Sequence, residues 1–550
     1  MVAASRCPGA PGLVATIARK ERQLRFALLG VLVVAAASGA QAGAVSAKVA
    51  PALDGVFRPG FPVALRVTVA NSGPALDGWL DVVAERVAYR QPLRLGAGAT
   101  AVVEALAAVR SDAPRVRLAV RSGGGEVLCD EAASVALRRA SDAAGGHALV
   151  ACGDEGAARR LFGAGAAAVP PNELPTTAAA YAALEALAVA GDGGEVPAAA
   201  RAALSDWVRG GGAIAFLLDE REPVRTDSLL AELGECAGRP TGREWLETLA
   251  SREATRPCRG GFTRRLALGT VAVAGKDSAQ EAPFAHLLAG GARADLWADR
   301  GLLEAFGGAS WPGAVRWRLA GGAAALVAVG ALLVWLAGAR RGQRAGRWQR
   351  ALLAVAAAAA LALAAWGLML PGGKGTMEVA AVTERVEGEP GERRTEVVCL
   401  GAVGRTRVRL DFGAAEAVVP FYYGSEEVGS TAGAVVARDA AGRWTLECGL
   451  TRATRRCFGV WWPWRQTAAA GPEPGQGLGE VVVRGGATAP EGLASWGGAD
   501  RALAAWQVRR MPATASARVR RLGPAEPTSA GEGVIARRCV AAQVCTRLPE

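Results

Sequence analysis

The sequence predicts a multidomain membrane protein: a β-sandwich, an α/β domain, two transmembrane helices and a C-terminal all-β domain. Three observations predict it. Two uncharged apolar runs, residues 319–339 and 351–370, each meet the roughly 20 residues a helix needs to cross a bilayer. Long stretches on either side of them alternate apolar and polar residues, the period of a strand. Between residues 148 and 218, short apolar strands alternate with helical segments, the pattern of a parallel sheet. With 550 residues, 51% of them apolar and 21% charged, the chain is long enough for several cores and too apolar to be disordered.

The formal net charge is +12, from 63 basic and 51 acidic residues. The arginines are interleaved with Asp and Glu, whereas a nucleic-acid binder clusters its basic residues on one element. Only two histidines occur, His147 and His286, which excludes a multi-histidine metal site in one chain. No metal, cofactor or nucleic acid is therefore expected.

At the N-terminus, Arg19, Lys20, Arg22 and Arg25 precede an apolar run at 26–37, and Ala40 and Ala42 supply an A-x-A pattern. Residues 1–42 read as a signal peptide. The two apolar runs are joined by residues 340–350, which carry Arg340, Arg341, Arg344, Arg347 and Arg350 and no acid. Arg316, Arg318 and Lys374 lie beyond the runs, so the positive-inside rule puts this loop in the cytoplasm. Trp311, Trp317, Trp335, Trp348 and Trp366 lie in or beside the runs, as interfacial anchors do. The expectation is a multi-pass protein of the bacterial cytoplasmic (inner) membrane with both large regions extracytoplasmic.

Residues 43–140 read as an antiparallel sandwich. Positions 63–69, 79–83 and 115–120 alternate, and Asn71-Ser72-Gly73-Pro74 is a turn signal. The strand opening resembles that of bacterial Ig-like modules. Residues 145–290 read as α/β, with strands at 148–151, 166–169, 186–190 and 213–218. Helices are predicted at 157–162 and 198–209, the second opened by Pro197 and ended by Gly210-Gly211-Gly212. Tyr181, Pro197, Trp207, Val208, Gly211 and Gly212 together resemble bacterial, membrane-anchored, non-catalytic class I glutamine-amidotransferase-like domains. That resemblance implies a flavodoxin-like sheet. No Cys or Ser stands in a G-x-[CS]-x-G elbow of this unit, so it implies no amidotransferase activity.

Cys152 follows the first strand of this unit and is its best-placed nucleophile. His147 precedes that strand, at its opposite edge, so Cys152 lacks a base and reads as half of a disulfide. Asp154 and Glu155 follow the first strand, and Asp219 and Glu220 follow the strand at 213–218. All four are candidate ligand-binding residues at the carboxyl edge, where parallel sheets bind ligands; the alternative is a solvated acidic loop. Residues 291–318 read as a juxtamembrane linker.

Residues 371–550 read as a β-rich extracytoplasmic domain, with alternation at 395–400, 405–412, 434–438, 443–448, 479–484 and 515–522. Trp461, Trp462 and Trp464 form either the core of a β domain or a partner-binding or membrane-surface patch. The ten cysteines contain no C-x-x-C, which excludes zinc ribbons and thioredoxin motifs. Cys448–Cys457 and Cys539–Cys545 are the pairs expected to form disulfides. The function expected is that of a non-catalytic membrane-anchored envelope protein, an interaction platform whose partners are the lipid bilayer and other envelope proteins. Two alternatives stand beside it: an exported hydrolase with an acidic site, metal-dependent or not, on the α/β domain, and a subunit of a transport or envelope-assembly complex.

Overall fold

Backbone amides of extended, alternating segments are satisfied by pairing side by side, and this chain pairs them in three layers. The computed structural model describes residues 45–58, 61–109, 111–139, 149–153, 167–184, 186–234, 240–250, 255–258, 261–275, 330, 355, 375–387, 391–402, 406–421, 433–450, 455–462, 464–465, 479–484, 516–522, 530–532 and 534–547. Among them are 27 strands and three α-helices: α1 (Ala198–Arg209), α2 (Leu229–Gly234) and α3 (Gly242–Ala250).

The first layer is an eight-stranded sheet. Its spatial order is Ala530–Glu532, Thr406–Gly413, Trp444–Leu450, Ala434–Arg438, Val87–Leu95, Leu76–Ala84, Arg115–Ser122 and Val127–Ser134. Ala434–Arg438 pairs in parallel with Val87–Leu95, with Ala434 opposite Val87 and Ala437 opposite Arg90. Segments from the two ends of the chain thus share one sheet. The outer face is polar, as a half-solvated sheet requires. There Asp81, almost wholly buried, is clamped between Arg90 at 2.7 Å and Arg121 at 3.0 Å.

The second layer holds two sheets. One is three-stranded: Val45–Pro51, Pro62–Asn71 and Thr100–Ala108. The other runs Ala417–Phe421, Arg455–Trp461, Glu392–Ala402, Gly375–Val386, Val534–Arg547, Ser516–Leu522 and Gly479–Arg484. Leu65, Val67, Leu80, Leu118, Val398, Leu410, Leu446 and Phe458 join all three sheets in one core.

The third layer is a mixed sheet. Ala167–Val169, Leu149–Cys152, Ala186–Ala190, Ala213–Leu218 and Gly269–Gly275 are parallel, and Gly261–Leu266 and Thr255–Cys258 follow antiparallel. Every residue of Ala213–Leu218 is buried, because both faces of that strand are covered. Helix α1 presents Ala200, Ala203, Leu204, Trp207 and Val208 to the core at helical spacing. It stops at Gly210. Gly211 takes φ +108°, and a Cβ on Gly212 would lie 2.4 Å from the Trp207 ring, so only glycine fits there. Leu204, Tyr181 and Phe216 share a core with Val382, Val397, Val419 and Trp461 of the seven-stranded sheet.

These observations correct the expected fold class and membrane placement. The described residues are mostly strand, and none of their helices is long and apolar enough to cross a membrane. A two-helix, multi-pass inner-membrane protein with a discrete α/β domain is not what they form. The parallel strands belong to a mixed sheet with few described helices, and that sheet shares its core with the sandwich. Among the described residues, apolar positions are buried within the sheets, most completely in Ala213–Leu218. The signal segment, the runs at 319–339 and 351–370 apart from Gly330 and Val355, the arginine loop and Trp311, Trp317, Trp335, Trp348 and Trp366 lie outside the described residues.

Candidate functional site

The mixed sheet sets where a site is to be sought. Its first strand, Leu149–Cys152, has Ala167–Val169 on one side and Ala186–Ala190 on the other. The strand order reverses there, and in open parallel sheets the carboxyl ends of the two strands flanking such a reversal are where ligands bind. Cys152-Gly153 ends one strand, and Gly191-Asp192-Gly193-Gly194-Glu195 follows the other. Gly153, Gly191 and Gly193 adopt φ of +95°, +73° and +74°, which lets both strands turn sharply at the same level.

Asp192 organises the second turn. Its Oδ1 accepts the Gly194 N–H at 2.9 Å, its Oδ2 accepts the Arg225 N–H at 2.7 Å, and its carbonyl accepts the Leu230 N–H at 3.1 Å. The Arg225 side chain lies over Gly194 and pairs with Asp227 at 3.2 Å. The hydrogen bonds that Arg225 donates to Asp227 raise the Arg225 pKa and lower that of its partner. Glu195, Asp219, Glu220, Arg225 and Asp227 form an exposed rim of both signs.

Beneath the rim lies Cys152, 2% exposed. Burial, with the Glu195 charge added, pushes its thiol up to about 12. The neighbouring Tyr181 donates to the Pro175 carbonyl at 2.7 Å, and burial first, then Glu104 and Cys152, raises its pKa well above that of an ordinary phenol. Neither group is poised to accept a proton near neutrality. Cys152 is a free thiol and not the disulfide half that was expected.

Of the four candidate carboxylates, Asp154 and Glu155 lie outside the described residues. Asp219 Oδ1 accepts the Arg221 N–H at 3.0 Å, which uses it as a turn former. Glu220 is exposed, and its carbonyl accepts the Arg243 N–H at the start of α3. Among the described residues, no group of three His, Cys, Asp or Glu stands close enough to hold a metal ion. The turn residues Asp192 and Glu195 and the overlying Arg225 were missed by the sequence reading. The signal was present: a G-D-G-G-E run directly after a buried strand.

The disulfide expectations change as well. Cys457 pairs with Cys399, directly opposite on the adjacent strand with Cα atoms 4.1 Å apart. Cys448 is free and buried, its thiol pushed up to about 11 by burial. Cys539 and Cys545 lie on the single strand Val534–Arg547. Six residues of extended chain separate them by about 20 Å, beyond the reach of a disulfide. Trp461, Trp462 and Trp464 are buried, with Trp461 stacked on Phe61 at 6.3 Å between centroids, so the aromatic cluster is core.

The family model of a domain of unknown function, DUF8726, matches residues 44–135, which hold the three-stranded sheet and the strands Leu76–Ala84, Val87–Leu95, Arg115–Ser122 and Val127–Ser134 of the eight-stranded one. No curated protein matches the chain, and no solved structure does.

Proposed function

We propose that the chain is a non-catalytic interaction platform, and that the carboxyl edge of its mixed sheet is offered to another protein. The observation that carries this reading is the state of Cys152: among the described residues, the thiol at the strand ends is buried and held neutral. The rim above it mixes Glu195, Asp219, Glu220, Arg225 and Asp227, a polar surface of the kind that surrounds protein contacts. The test is complementation in the native host. Cys152→Ala is expected to retain function, whereas the double variant Asp219→Lys/Glu220→Lys loses it at unchanged abundance. If folded, normally abundant Cys152→Ala loses function, the edge performs chemistry and the platform reading is wrong.

A further inference from the structure

The mixed-sheet unit is fastened to the sandwich along residues 171–182, and the fastenings are acidic. Glu104, on Thr100–Ala108, accepts the Thr176 N–H at 2.7 Å, the Thr176 hydroxyl at 3.1 Å and the Thr177 hydroxyl. Glu173 pairs with Arg66 at 3.0 Å. Glu416, just before Ala417–Phe421, accepts the Ala179 N–H at 2.6 Å, across 237 residues of sequence. Its own N–H donates to the Trp461 carbonyl, which fixes it to the seven-stranded sheet.

The groups around Glu416 come from three elements. Arg393, on Glu392–Ala402, donates to the Gly210 carbonyl at the end of α1 and attracts the Glu416 charge. Asp206, on α1, repels it and is itself shifted up by burial, against the pull of Arg209. Glu384, on Gly375–Val386, is buried and stands opposite Arg393 in the strand register. Glu104 and Tyr181 complete the charged and titratable groups along the seam. Acids therefore outnumber the cations that face them.

We propose that this seam is a pH-sensitive latch: protonated Glu416 holds the Ala178–Tyr181 turn against the sandwich, and its ionisation loosens the docking of the mixed sheet. Part of the Glu416 residue reaches solvent, but its carboxyl group sits inside the seam. There burial outweighs Arg393 and the backbone N–H groups and lifts its pKa to about 7 from 4.5. An acid that binds its proton more tightly in the closed seam than in the open one favours closure below its ordinary range. That advantage is lost as pH rises toward the closed-state value, and above that value it is gone. Asp206 acts in the same direction.

The test is hydrogen exchange of the 171–184 segment in the full chain, corrected for the intrinsic rate, across about pH 5 to 8. Opening of wild type is expected to rise by up to about tenfold per pH unit between the ordinary glutamate range and neutrality, then level off. Glu416→Gln keeps an acceptor for Ala179 but has no charge to gain, so its profile is expected to be flatter and its segment protected at the alkaline end. Arg393→Gln can still donate to Gly210 but no longer attracts the carboxylate, so the plateau is expected to move to higher pH. The same profile in wild type and Glu416→Gln, an unmoved plateau in Arg393→Gln, or opening that increases on acidification each overturn the latch.

Discussion

Cys152 and the Cys399–Cys457 pair show how differently one side chain behaves in different surroundings. A thiol reacts as its thiolate, and one held near a pKa of about 12 beneath the strand ends is almost all neutral at physiological pH. Alkylation of the native chain is expected to spare Cys152 while modifying it readily after denaturation, as mass spectrometry of the modified peptide checks. Rapid native labelling would mean that the strand ends open to solvent. The Cys399–Cys457 bond closes a loop across a sequence separation of 58. Chain entropy alone gives such a cross-link about 4 kcal/mol of stabilisation, with native strain subtracting from it. Cys399→Ala/Cys457→Ala is expected to unfold at lower denaturant by about 2–4 kcal/mol; an unchanged transition would show that the bond contributes nothing. Neither environment was legible from composition. Cysteine spacing suggested Cys448 and Cys457, nine positions apart, but the residues that meet lie across a strand pair.

At the scale of single elements the sequence was informative. The alternations at 63–69, 115–120, 434–438 and 479–484 mark the strands Pro62–Asn71, Arg115–Ser122, Ala434–Arg438 and Gly479–Arg484, because period-two alternation is a local property of each sequence. Pro197 and the three glycines bound α1 for equally local reasons. Leu204 is fully buried on this helix and Ala202 is exposed. Leu204→Ala is expected to cost about 2–5 kcal/mol in a denaturation experiment, with the spread set by how far the cavity collapses. Ala202→Ser should fall within about 0.5 kcal/mol of wild type. Equal effects of the two substitutions would contradict the burial of this face of the helix in the core. The candidate site was half legible: the strand ends and Asp219 could be placed, whereas Arg225 reaches Gly194 from a loop whose path no periodicity encodes.

Pairing between distant strands decides the whole molecule, and alternation does not encode it. Nothing in residues 434–438 specifies a parallel partner at Val87, so the two ends of the chain read as separate domains although they share a sheet and a core. That sharing has a mechanical consequence. Without residues 371–550 the eight-stranded sheet keeps only its four strands between Leu76 and Ser134, and Val87–Leu95 becomes a raw edge. The core would lose Val398, Leu400, Leu410, Leu446 and Phe458 together, and an uncovered apolar face beside an unpaired edge promotes aggregation. A fragment of residues 43–275 is therefore expected to be insoluble or to lack fixed tertiary packing when expressed alone. Co-expression with residues 371–550 is expected to recover it as a complex. The intact chain should unfold with Trp461 and Tyr181, which share one core, losing their structure in the same transition. Near-ultraviolet circular dichroism and denaturant titration of the fragment decide the matter. A native-like spectrum with a sharp transition for residues 43–275 alone would mean that the parallel pairing at Ala434 joins two independently stable units.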